Sequence, residues 1–441
     1  MEIFNERESE VRGYCRDYPV IFETAKGARL TDEDGTEYID FLGGAGTLNY
    51  GHNPEPLKQA VLEHLQNDRL LHGLDMHTAT KRRFLEVFSE TILAPRGLDY
   101  KLQFTGPTGT NAVEAALKLA RKVTGRHEIF AFTNGFHGVT QGALACTGNR
   151  HHREGSGILL SGVTRVPYQG YMDPDGDTIG YIRRLLEDPS SGVELPAAMI
   201  VETIQGEGGV NVASYEWLRK LQELCKEFGS LLIVDDIQVG CGRTGTFFSF
   251  EGQEIEPDIV TLSKSLSGIG LPMALVLMKP ELDEWNPGEH NGTFRGNNLA
   301  FASATAAIEH YWSDGSFTAA VRARSRMLRE RFCAIRDAHP EHGIKVRGRG
   351  MIYGLEMPVE GMAAKVVEES FARKLIIENC GPNGAVIKFL APLTIDFDDL
   401  EAGLDRLTEA VAAAAEASPI LDAQDAASQT DEAGQEQESA E

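Results

Sequence analysis

The sequence predicts an α/β protein built around a mainly parallel sheet, and three observations predict it. First, short apolar runs recur through the middle of the chain: Glu128–Phe132, Ala197–Ile204, Leu231–Val234, Asp258–Leu262 and Ala274–Met278 read as buried strands. Second, segments of helical period lie between them. In Ser214–Phe228 the residues Trp217, Leu218, Leu221, Leu224 and Cys225 fall on one stripe. Strands alternating with helices build parallel sheets, which gather ligands at the carboxyl ends of their strands. Third, the pattern shifts around Trp312–Phe317, which sets off a smaller C-terminal unit.

From the N-terminus, Arg29–Phe41 reads as a hairpin with its turn at Asp34-Gly35. Residues 1–50 are expected to join the small domain, and residues 51–314 to form the large one. A long helix, Ala319–Asp337, then leads into strand-like pieces at Gly350–Glu356 and Ala385–Leu390, so the small α/β domain spans 315–420. Residues 421–441 carry seven acidic side chains, no Lys or Arg and no aromatics, and are expected to form a disordered tail.

The chain has 441 residues, 66 acidic against 42 basic, and a net charge of −24. The tail removes seven charges, so the body keeps −17. That balance excludes binding to nucleic acid by phosphate neutralisation and argues against an anionic membrane surface. No apolar run reaches the ~20 residues of a membrane helix, and the N-terminal stretch has no signal-peptide core. The six cysteines are scattered, with no C-x-x-C pair and no His cluster at zinc spacing. Reduced thiols, a cytoplasmic location and no metal site follow as expectations.

Three features stand where strands end. Lys264 follows the run Pro257–Leu262, where desolvation would turn its amine into a nucleophile. Asp235 ends the run Leu231–Val234 and could hold a ring nitrogen protonated. The loop Gly106-Pro107-Thr108-Gly109-Thr110-Asn111, leading into a helix, offers small residues, two hydroxyls and a helix N-terminus to a phosphate. It lacks the G-K-[ST] ending of a Walker loop. Alone, each has a plainer reading, as a solvated lysine, a capping acid or a Gly-rich turn. Together they are the parts that pyridoxal 5'-phosphate requires.

With these, Tyr38–Phe41, Phe136-His137-Gly138, Glu202 with Gln205–Gly209, Asp235 with Gln238, Gly242–Gly245 and Thr293-Phe294 with Gly296-Asn297 resemble the class III (ω-amino-acid) aminotransferases. The resemblance runs from about Tyr18 to Leu407. It implies PLP fold type I, with a seven-stranded sheet, and it assigns roles. Lys264 and Asp235 are the catalytic pair. Thr108, Gly109 and Thr110 hold the phosphate, Phe136 stacks on the ring, and Gln238 bonds its phenolic oxygen. His137 and Glu202 belong to the cofactor-binding motifs. Thr293 reaches the phosphate of a neighbouring subunit, which implies a homodimer with shared sites, or a tetramer of such dimers. Arg243 buttresses the loop after Asp235. Glu207 matches a gatekeeping acid. Lys388, in Val386–Leu393, stands where the family often has an arginine for the glutamate carboxylate, and it offers a point charge instead of a two-pronged grip.

The stretches Gly44–Pro54, His72–Thr78 and Thr293–Asn298 resemble a narrower branch of the family. That branch moves the amino group of L-glutamate to L-aspartate 4-semialdehyde, giving L-2,4-diaminobutyrate and 2-oxoglutarate, the first step of ectoine biosynthesis. On this likeness Leu48, Asn49 and Tyr50 are candidates for the substrate-distal wall. The alternatives are another ω-aminotransferase (for ornithine, 4-aminobutyrate or a siderophore precursor), an aminomutase or racemase on the same fold, and a catalytically silent binding protein.

Overall fold

The structure, a computed structural model, describes residues 1–420; the expected acidic tail lies outside the described residues. Seven strands form the main sheet, in the order Lys101–Phe104, Leu275–Met278, Ile259–Leu262, Leu231–Asp235, Ala198–Val201, Ile129–Phe132, Val163–Val166. Five of them run parallel, from Ile259–Leu262 to the Val163–Val166 edge. Leu275–Met278 is antiparallel to both its neighbours, which leaves Lys101–Phe104 pointing the same way as the five. The α/β expectation therefore holds, with the mainly parallel sheet of seven strands.

The central strands are fully buried on both faces, which is why they read as unbroken apolar runs. The two edge strands were not expected. Lys101–Phe104 and Val163–Val166 are only partly buried and carry Lys, Gln, Thr and Arg, so no apolar run announces them. The expected strand Ala197–Ile204 is shorter than its sequence suggests. It stops at Val201, and Ile204–Gln205 turns away to pair with Asn211–Val212. Helix Tyr215–Phe228 forms as its stripe predicts. Ser214 caps it by accepting from the Trp217 N–H, and left-handed Gly229 ends it.

Two further sheets flank this core. The hairpin Arg29–Asp32 with Glu37–Asp40 turns through Gly35, with the Asp32 carboxylate accepting from the N–H groups of Asp34 and Thr36. An unexpected strand, Phe22–Lys26, pairs on one side of it, and Leu375–Ile376 pairs in parallel on the other. The N-terminal segment is thus stitched to the C-terminal part of the chain, and the Tyr18 hydroxyl adds a bond to the Ile377 carbonyl. Strands Lys345–Arg349, Ile352–Glu356, Val386–Phe389 and Glu378–Cys380 form the last sheet. The long helix runs over Ser316–Ala338. Just beyond it, donor atoms of His339, Glu341 and His342 lie within 4.8 Å of one another, where no His cluster was expected. All six cysteines are free. Among the described residues, no helix is long and apolar enough to cross a membrane.

Candidate active site

The parallel register brings the expected residues to one end of the sheet. Asp235 is the last residue of its strand and pairs with Thr261, three positions before Lys264. Phe136 and His137 follow Ile129–Phe132, Glu202 follows Ala198–Val201, and the Gly106–Asn111 loop follows Lys101–Phe104. All these loops leave from carboxyl ends.

Lys264 sits at φ +49°, a left-handed conformation that costs a side-chain-bearing residue about 1–3 kcal/mol. Its neighbours hold it there. The Ser263 hydroxyl donates to the Met273 carbonyl at 2.8 Å, and the Ser265 hydroxyl to the Gly46 carbonyl at 2.7 Å. Lys264 Nζ donates to the Ala45 carbonyl at 2.7 Å. The same carbonyl accepts from Gln238 Nε2 at 3.1 Å. Burial pulls the Lys264 amine below its ordinary value, against the opposing pull of Glu207.

The strap that presents Ala45 is strained too, with Gly43, Gly44 and Ala45 all at positive φ. Gly43 has no room for a side chain, because a Cβ would meet the Leu390 carbonyl at 2.3 Å. Asp40 starts the strap by accepting from the N–H groups of Leu42 and Gly43, and His52 bonds its other oxygen at 2.8 Å. Arg243 ends it. This fully buried guanidinium donates to the carbonyls of Met351 and Ala391 and to Asn49 Oδ1. Burial pushes Arg243 down to about 9. Arg243 thus clamps the strap to the C-terminal strands, a wider reach than the loop after Asp235.

Asp235 Oδ2 lies 2.7 Å from His137 Nδ1, and Oδ1 accepts from Thr261 Oγ1 at 3.1 Å and from the Ile237 N–H at 3.2 Å. His137 is therefore behind the carboxylate, where it fixes the orientation of Asp235. Burial lowers the His137 imidazole, but its bond to Asp235 outweighs that and holds it above its ordinary value. Glu202 accepts from the Phe136 N–H at 3.0 Å and so pins the loop that carries the aromatic. Burial pushes the Glu202 carboxyl up to about 8, against the opposing pull of His137. The Phe136 ring packs edge-on against His152, with centroids 5.4 Å apart.

At the phosphate loop, Thr108 and Asn111 form a capping box on helix Gly109–Thr124. Thr110 Oγ1 lies 2.6 Å from Thr140 Oγ1, which donates to Glu114. Gly109 has a packing reason of its own, since a Cβ there would stand 3.0 Å from Ile237.

Lys388 is fully buried and makes the shortest ion pair of the site, Nζ to Glu207 Oε1 at 2.5 Å. Glu207 Oε1 also accepts from Gln238 Nε2 at 2.8 Å. Burial would raise Glu207, but Lys388 and then Lys264 hold it down at about 2. Lys388 lies well above its ordinary value despite burial, because Glu207 and Glu378 flank it. Glu378 went unnoticed in the sequence. It stands opposite Lys388 across the antiparallel pair, a relationship that only the register reveals.

Two wall candidates are corrected. Asn49 is buried, and its amide is spent on the Gly240 and Cys241 carbonyls and on Arg243. Tyr50 belongs to the core, stacked on Tyr311 and accepting from Trp312 Nε1. Leu48 remains partly exposed. Thr293 is exposed on this single chain, next to Phe294, which is 69% exposed.

A partly buried lysine, a carboxylate fixed at a strand end and a capped helix N-terminus thus meet at one end of the sheet. A family model described as Aminotransferase class-III matches residues 14–411, and the chain belongs to that family. Its similarity is high to diaminobutyrate–2-oxoglutarate transaminases. That of Bordetella parapertussis is 56% identical over 413 residues, 93% of this chain and 95% of its own. That of Halomonas elongata is 56% identical over 409 residues, 92% of this chain and 97% of its own. Among solved structures, an ornithine aminotransferase from Toxoplasma gondii, described with partial occupancy of PLP at its active site, matches with a TM-score of 0.80 at 28% identity, covering 94% of each chain. An aminotransferase from Bacillus anthracis shares the fold, with a TM-score of 0.83 at 23% identity over 93% of this chain and 97% of its own.

The family's cofactor is pyridoxal 5'-phosphate, and the residues fit it. Gln238 Oε1 is buried without a hydrogen-bond partner, beside the lysine and acid that such a ring requires. Gly206 makes room for that oxygen, since a Cβ there would stand 1.7 Å from it.

Proposed function

We propose that this aminotransferase moves the amino group of L-glutamate to L-aspartate 4-semialdehyde, reversibly giving L-2,4-diaminobutyrate and 2-oxoglutarate, at the opening of ectoine biosynthesis. The relatives at 56% identity over nine-tenths of the chain support the substrate pair. The observation that carries the chemistry is Lys264, a partly buried lysine held in a left-handed turn beside Asp235 and Gln238.

Pyridoxal phosphate, when bound, supplies an aldehyde for the amine and a ring that draws electrons from the substrate carbon. Lys264 would hold that group through its aldehyde, and once the substrate's amine has displaced it, the freed Nζ would take the proton from the amine-bearing carbon. Asp235 would keep the ring nitrogen protonated, and His137 is a positioning residue that orients Asp235. Phe136, on a loop held by Glu202, would pack on the ring, and Gln238 would bond its phenolic oxygen. Thr108, Gly109 and Thr110 receive the phosphate at the helix N-terminus, where backbone N–H groups favour an anion. Thr293 of a second copy completes the phosphate site, so the working unit is a homodimer, or a tetramer of such dimers, in the cytoplasm. Glu207 swings from Lys388 when the distal carboxylate of glutamate arrives. Leu48 lines the distal wall. Residues 1–50 and 315–420 act as a small domain against the large domain at 51–314.

The test is a product assay with glutamate and a panel of aldehydes. Aspartate semialdehyde is expected to give the highest kcat/KM, with strict dependence on glutamate. A preference for the aldehyde of ornithine or 4-aminobutyrate overturns the substrate, and turnover without an amino donor would favour an isomerase.

A further inference from the structure

The Lys388 pocket holds one carboxylate more than Lys388 needs. Glu207 neutralises Lys388 at 2.5 Å. Glu378 lies across the strand pair with Oε1 3.1 Å from the same amine, at an angle that makes no hydrogen bond, and this oxygen has no other partner. Its side chain is only 8% exposed. A buried acid left in this state is costly, and native structures keep such groups where a ligand or function uses them. The chemistry that would satisfy it is a cation. The other charged or ionisable groups facing it are Glu207, Lys264 and the Tyr14 and Tyr18 hydroxyls, of which Tyr14 also bonds the carboxylate. Neither tyrosine carries positive charge, and Lys264 is committed to the cofactor.

The two substrates of the proposed reaction differ at their distal ends. Glutamate brings its reacting amine on the α-carbon and turns only a carboxylate toward Lys388. Diaminobutyrate and aspartate semialdehyde react at the terminal carbon, so their distal end carries a carboxylate and a free α-ammonium. We infer that Glu378 is the specificity-determining acceptor for that α-ammonium, next to Lys388, which serves the carboxylate. Glu378 thereby separates 2-amino substrates from des-amino analogues such as 4-aminobutyrate. Burial raises the Glu378 carboxyl above its ordinary value, against the opposing pull of Lys388. This inference rests on the substrate reading above.

The test compares wild type with Glu378→Gln, as holoenzyme, on L-2,4-diaminobutyrate, 4-aminobutyrate and L-glutamate. Where turnover of 4-aminobutyrate is slow, dissociation constants from spectral titration replace kcat/KM. The preference for diaminobutyrate over 4-aminobutyrate is expected to fall about 10-fold or more, the scale of one charge-assisted hydrogen bond. The KM for glutamate is expected not to rise, because the change removes negative charge near its carboxylate. An unchanged preference, or a glutamate KM raised as far as that of diaminobutyrate, overturns the inference and leaves Glu378 a counter-ion of Lys388. Should Glu378→Gln fail to fold, Glu378→Asp keeps the charge and must keep most of the preference; losing it equally overturns the assignment. A wild type that transaminates glutamate but ignores diaminobutyrate sinks the substrate reading, and Glu378 falls with it.

Discussion

Lys388 Nζ and Glu207 Oε1 lie 2.5 Å apart in the interior of the site, joined through Gln238 and the Ala45 carbonyl to Lys264. One ion pair is therefore linked by hydrogen bonds to Lys264. Lys388→Ala removes the cation proposed to receive the distal carboxylate of glutamate, while an α-ammonium substrate would keep Glu378. Steady-state kinetics are expected to show the glutamate KM raised about 10-fold or more beyond the change for the semialdehyde. Equal effects on the two would contradict the pairing.

Asp235→Asn keeps the shape of the strand end but removes the charge facing the ring nitrogen. Cofactor content, read from absorbance, is expected to stay near wild type, while kcat falls by about 100-fold or more. Normal turnover would rule out this role for Asp235.

Arg243 makes three buried hydrogen bonds that tie the Gly43–Asn49 strap to Met351 and Ala391. Arg243→Ala leaves Asn49 Oδ1 and two carbonyls without their donor. Urea denaturation is expected to show a loss of about 3 kcal/mol or more. A variant within about 0.5 kcal/mol of wild type would show the clamp to be idle.

Glu202 carries the proton to about 8 in the folded state, well above an unfolded glutamate. Its contribution to stability is complete below the unfolded value and is lost as pH rises through about 8, because only the folded form binds the proton in that window. Glu202→Gln removes this term. The melting temperature of the variant is expected to fall less between pH 6 and pH 9 than that of wild type; parallel curves would show that Glu202 does not titrate there.

The central strands and the Lys264–Asp235 pair were legible because both faces of those strands are buried, so apolar runs end abruptly on ionisable residues at one edge of the sheet. The edge strands Lys101–Phe104 and Val163–Val166 have a solvated side and lack that signature. Glu378 was invisible for another reason. It is ten positions from Lys388 along the chain, and only the register of strands Glu378–Cys380 and Val386–Phe389 makes them opposite. The same holds for Asn49, whose position in a family-like loop motif says nothing of an amide turned toward Arg243. The placement of His137 behind Asp235 also needed three dimensions, since the two are 98 residues apart.

Borohydride reduction of the purified holoenzyme, followed by peptide mapping, tests most directly whether Lys264 carries the cofactor. The phosphopyridoxyl mass is expected on the peptide holding Lys264 and to vanish in Lys264→Ala together with transamination. Label on a different lysine, or a wild type that takes no label after incubation with pyridoxal phosphate, would contradict the assignment of this site.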